Sequence, residues 1–219
     1  MDPAIARFVV GCVVAVALLV PISFFVVGGG IRGGADAWQG FAANSRKHLS
    51  TPLNNNMGLK TVLEFNPKTR AALIWRYWVD VPADTWVAAR RRASEERQTI
   101  VWVARVLLAL VVLGVAARQE PWVALILGVG LIPIGTELTC YYYSVLMLFG
   151  LLWERHRIIG VALAGLSAVS SVIPAIWTYE DDIYAAESLA VLMFVMFSLA
   201  CVARGRAFFR LPKTSPVSP

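Results

Sequence analysis

Three ionisable side chains stand in or at the edge of long apolar runs: Arg105, Glu137 and Glu187. Placing one charged group at the centre of a membrane-spanning helix costs ~2.5 to 3.5 kcal/mol on the translocon scale. Such residues are therefore the first candidates for chemistry. With the spans assigned below, Arg105 lies about five residues from the outer end of its helix and Glu187 about four from the outer end of the last one. Glu137 sits at an outer corner. Their similar height predicts a polar pocket in the outer leaflet, with Arg105 facing one or both carboxylates. The blander readings are an arginine that snorkels to the surface, and a paired cluster without catalytic duty.

No other constellation dictates a reaction. There is no nucleophile elbow, Walker loop or zinc motif, and no pair of carboxylates has a spacing that assigns acid and base roles. His48 and His156 are far apart, so no metal is expected. Cys12, Cys140 and Cys201 each fall inside an apolar run and read as small hydrophobes, not as a disulfide framework. No cofactor is implied.

The elements that must position these residues follow from composition. Of 219 residues, 58% are hydrophobic and 16% charged, with mean hydropathy +0.65. That is more apolar surface than a water-soluble domain of this size can hide. The expected fold is all-α: a polytopic transmembrane bundle of about six spans in a single integral membrane domain, residues 1–219, with amphipathic helices in one long outer loop. The spans are residues 8–27, 99–117, 122–135, 138–153, 158–176 and 183–202, and the loop is 28–98. Pro121 to Trp153, at helical rise about 50 Å long, exceeds a hydrocarbon core of roughly 30 Å, so the stretch "GLIPIGTELTCYYY" must hold a turn. Pro133 and Gly135 close the first short span, and Tyr141, Tyr142 and Tyr143 open the next at the interface. A broken helix that re-enters the same face is the alternative.

Basic residues set the orientation. With both termini cytoplasmic, the inner segments hold Arg7, Arg118, Arg155, Arg157, Arg204, Arg206, Arg210 and Lys213, whereas the outer corner at Glu137 and "TYEDD" hold none. This predicts an inner-membrane protein, N-in and C-in. The net charge of +6 could suggest nucleic acid, but no basic stripe lies beside exposed aromatics, so none is expected as partner.

The outer loop carries eleven basic and six acidic residues. It opens with a glycine-rich hinge, "GGGIRGGADAW", followed by "AWQGFAANSRKHL", in which Trp38, Phe41, Ala42 and Leu49 share one helical face opposite Arg46 and Lys47. That pattern suits a helix lying flat on a membrane. "TPLNNNMGL" reads as a turn, and "NPKTRAALIWRYW" as an amphipathic helix capped by Asn66 with Pro67 in first position. "PADTWVAARRRASEERQ" runs unbroken into the second span. The basic excess either anchors the loop to anionic lipid or clamps a phosphate of a lipid carrier.

"LIPIGTELTCYYYSVLMLFGLLW" and "AWQGFAANSRKHLSTPLNNNMGLKTVL" resemble the C-terminal half of bacterial membrane glycosyltransferases of GT-C type, which take sugars from polyprenyl-phosphate donors. The shared features are a Pro-containing turn before span-opening tyrosines, and an outer loop with an aromatic and then Asn, a small residue and leucine. The resemblance implies a polyprenyl-phosphate-linked donor bound at the outer leaflet by Arg46, Lys47, Arg105, Glu137, Tyr141, Tyr142 and Tyr143. In that family the catalytic acid lies in an N-terminal half with no counterpart here. Asp36 follows the first span, and Glu137 stands where relatives often carry histidine; these two are the catalytic candidates. Membrane lipids are the expected partners. The other reading is a non-enzymatic scaffold or assembly subunit that holds a membrane-protein partner, and a transporter is third.

Overall fold

In a computed structural model the described residues are 3–26, 30–50, 52–74 and 84–205. Contacts group them into two compact units, Met1–Thr51 and Pro52–Pro219.

The first unit is a pair of helices, α1 (Pro3–Val26) and α2 (Gly30–Ser50). The glycine-rich stretch expected as a hinge is helical from Gly30 onward, and residues 27–29 lie outside the described ones. Gly34 is buried against Phe24, and a Cβ there would come within 2.5 Å of the Phe24 backbone, so glycine is what lets the two helices touch. Trp38 Nε1 donates to Ser23 Oγ at 2.9 Å across the pair.

The second unit is built on α5 (Asp84–Ala116), α8 (Arg157–Ile176) and α9 (Glu180–Arg204). Among the described residues these three helices are long and apolar enough to cross a membrane, and a fourth span is counted if Val10–Val26 and Gly30–Lys47 form one broken crossing. The expectation of an all-α chain with transmembrane character holds, whereas six spans exceed what the helices provide. As expected, "PADTWVAARRRASEERQ" enters the second span without a break, from Asp84 onward.

The discrepancy lies in the stretch expected as spans 122–135 and 138–153. It folds as a hairpin: α6 (Pro121–Gly128), α7 (Leu131–Gly135), a two-residue strand β2 (Leu138–Thr139) and a 3-10 helix, Cys140–Glu154. Its feet meet where Arg155 Nη2 reaches Glu120 at 2.6 Å. The rising arm, Pro121–Gly135, covers only about 22 Å at α-helical rise, too short for a full crossing. Its neighbours agree on how far the tip reaches. Gly58 donates its N–H to Ser188 Oγ at 3.0 Å, and Gly58 lies against the Thr136 and Pro133 carbonyls. Ser188 is eight residues along α9, hence about 12 Å below that helix's start.

The connection from residue 52 closes the gap. Asn54 hydrogen-bonds Glu180 at the top of α9, and four residues later Gly58 is level with Ser188. Asn54 and Asn55 make a turn, closed by the Asn56 N–H donating to the Leu53 carbonyl at 3.3 Å, before the chain extends over Asn56 and Met57. At the bottom β1 (Asn56–Met57) pairs antiparallel with β2, Asn56 opposite Thr139 and Met57 opposite Leu138. Helix α3 (Leu59–Glu64) then climbs back, and Arg97 Nη1 holds its end through the Leu63 carbonyl at 2.6 Å. Asn66 caps a single 3-10 turn, Pro67–Thr69, followed by α4 (Ala71–Ile74). The amphipathic helix expected there is thus two short turns as far as residue 74, its remainder lying outside the described residues.

The core runs along the hairpin: Leu127, Phe149, Leu152, Val112 and Ile159 are fully buried, and Phe149 meets Phe194 edge-on at 5.2 Å.

Candidate functional site

Two polar groupings surround the hairpin tip. The first is an ion cluster. Lys60 Nζ lies 3.0 Å from Glu137 Oε2 and 3.9 Å from Glu64 Oε2, while Arg90 Nη2 lies 3.5 Å from Glu137 Oε1. The side chains of Glu64, Arg90 and Glu137 are 2%, 9% and 8% exposed, so the charges are largely out of water. Burial pushes the Glu64 carboxyl above its usual range, an effect that nearby Lys60 only partly offsets. Beside them Tyr143 is buried and donates its hydroxyl to the Met57 carbonyl at 2.8 Å.

Above the cluster, the acidic turn "TYEDD" ties down the rest of the connection. Asp182 accepts from Arg70 Nε at 2.7 Å, and Asp181 accepts from the Ala71 N–H at 2.9 Å and from Trp86 Nε1 at 3.3 Å. Arg70 also stacks on Tyr179.

The second grouping lines a cavity of about 720 Å³ between the 3-10 helix, α8 and α9. Its walls are mainly apolar, including Leu146, Met147, Leu163 and Val191. Its polar residues include Glu187, Ser167, Ser170, Tyr184 and Tyr143, with the Cys140 thiol beside them. Glu187 accepts from Ser170 Oγ at 2.7 Å. The exposed lining residues, Met147, Ala164, Ser167 and Pro174, mark its open side, along the flank of the helices.

The residues singled out from sequence fall into three places. Asp36, Arg46 and Lys47 are exposed on α2 in the first unit. Glu137 and Tyr143 come together at the hairpin tip, whereas Tyr141 and Tyr142 are exposed, their rings 4.4 Å apart. Among the described residues Arg105 meets no carboxylate: it lies over the Trp102 ring at 5.4 Å, and its Nε finds no hydrogen-bond partner. Glu137 is held instead by Lys60 and Arg90, neither of which the sequence marked. The i, i+4 spacing of Lys60 and Glu64 beside Gly58 was the available signal. Among the described residues no group of His, Cys, Asp and Glu is placed to hold a metal ion.

The chain matches no protein-family model, and no curated protein or solved structure is significantly similar to it.

Proposed function

We propose that this chain is a multi-pass inner-membrane protein that binds an amphiphile, a lipid or lipid-like ligand, in the cavity between the hairpin and helices α8 and α9. The observation that carries this reading is the cavity itself: large, apolar-walled, polar at one end and open on the side that would face lipid. In this reading α5, α8 and α9 cross the bilayer, the hairpin re-enters from the cytoplasmic face, and residues 52–74 descend from the outer face to meet it. Arg118, Arg155, Arg157 and Arg204 then lie on the cytoplasmic side and "TYEDD" on the outer side, in keeping with the positive-inside rule.

The reading departs in one respect from the lipid-linked phosphate drawn from the GT-C resemblance. Lys60, Arg70, Arg90 and Arg97 are engaged by carboxylates and carbonyls, while the cavity's polar end offers a carboxylate and hydroxyls. Binding, with no bond made or broken, is the activity proposed.

The test is photolabelling of the protein in phosphatidylcholine nanodiscs with a diazirine-bearing hexadecanol. Saturable labelling of residues 160–170 and 183–191, competed by unlabelled hexadecanol and lost in Ala164→Trp at the cavity mouth, is expected. Labelling spread along α5 without competition would overturn the reading. Such a result together with a co-purifying membrane protein would support the assembly-subunit alternative.

A further inference from the structure

Glu187 differs from the carboxylates that sit in ion pairs. Glu137 has Lys60 and Arg90, Asp182 has Arg70, and Glu120 has Arg155. Glu187 has no cation within ion-pair distance among the described residues; its one hydrogen-bond partner is the neutral hydroxyl of Ser170. Among the described residues no lysine, arginine or histidine lines the cavity into which it is set. Arg105, which the sequence offered as a counter-charge, is occupied by Trp102.

Depth sharpens the point. Glu187 is seven residues along α9, about 10 Å below the turn that joins α8 to α9, and Ser170 lies at a matching depth on α8. A carboxylate at such a depth, in a cavity walled by leucine, methionine and valine, is costly unless it takes up a proton or something brings it a positive charge. It offers about four lone-pair sites, and Ser170 uses one. Glu187 lines a space large enough for a ligand.

Resting on the amphiphile-binding reading above, we propose that the ligand is a cationic amphiphile, an alkyl chain with an ammonium head, and that Glu187 is its counter-ion. The chain lies along Leu146, Met147, Leu163 and Val191 while the head donates N–H bonds to Glu187. A phosphate or sulfate head at the same spot would meet like charge. The open flank lets such a ligand enter from the lipid without crossing the outer ion cluster.

The experiment extends the nanodisc photolabelling to competition by three probes of equal chain length: dodecylammonium, dodecanol and dodecyl sulfate. Dodecylammonium should compete on the order of tenfold more tightly than dodecanol, the scale of one hydrogen bond to a charged group, and dodecyl sulfate more weakly than either. Glu187→Gln should abolish the preference for ammonium over dodecanol, whatever it does to dodecanol affinity itself. A thermal unfolding temperature in detergent close to that of the parent shows that the variant is folded. Ser170→Ala, which leaves the carboxylate in place, should keep the preference. Equal competition by ammonium and alcohol, or a preference that survives Glu187→Gln, overturns the assignment of Glu187 while leaving amphiphile binding standing. Absence of saturable labelling by any probe overturns both.

Discussion

The hairpin carries an ion cluster at each end, and the two are built in opposite ways. At the tip, Glu137 meets Lys60 and Arg90, which come from α3 and α5, far away in sequence, and its side chain is only 8% exposed. At the feet, Glu120 accepts two bonds from Arg155 Nη2, both at 2.6 Å, and one from Trp122 Nε1 at 3.0 Å, but its side chain is 56% exposed. The foot has the shorter contacts and matters less. Water screens an exposed pair and supplies substitutes when it breaks, whereas a buried charge that loses its partner has none. Distance alone is thus a poor guide to which carboxylate holds the fold.

Glu137→Ala should give the largest effect, a loss of about 3 kcal/mol or more, because Arg90 is left buried without its carboxylate; thermal unfolding in detergent measures it. A change below about 1 kcal/mol would erase the contrast between tip and feet.

Gly58→Ala should follow closely. Gly58 has φ of 131°, and an added Cβ would sit 2.6 Å from the Thr136 carbonyl oxygen, so strain of about 1 to 3 kcal/mol adds to a backbone collision. Limited proteolysis between residues 52 and 64 should become faster. Unchanged cleavage would mean that the descending segment is not fixed at the tip.

Glu64→Gln should act in the opposite direction and more gently. The folded carboxyl titrates above its ordinary value of 4.5, so its favourable contribution is complete below that pH and is lost as pH rises through the folded value. At neutral pH the glutamine variant should therefore melt higher than the parent, and the difference should vanish in acid. A variant that melts lower at neutral pH would show that Lys60 outweighs desolvation.

Glu120→Ala should change stability by less than about 1 kcal/mol, and raised salt should shrink the difference further.

The sequence made some of this architecture legible for identifiable reasons. Pro133 and Gly135 cannot continue a helix through a polar corner, so the turn before Glu137 could be read directly. The unbroken α5 and the Asn66 cap followed from local chemistry in the same way. The partners of Glu137 did not. Lys60 and Arg90 reach it because residues 54–58 descend between the helices, and no local periodicity records a descent that depends on a pairing between Asn56 and Thr139. Equal height was also an incomplete guide: Arg105 and Glu187 were both recognised as costly charges, but helix rotation turns one onto Trp102 and the other toward Ser170.

The descending arm of the hairpin has a further property. Its buried residues are Tyr143, Leu146, Phe149 and Leu152, a spacing of three throughout, which a helix with three residues per turn aligns in a straight row. An α-helix would spread the same four residues over half its circumference. Removing one complete turn would preserve the row and shorten the arm by about 6 Å. Removing one or two residues would swing it by a third of a circle or more. The arm can therefore change length only in whole threes, an arithmetic constraint that lineages or designers altering this loop would have to respect.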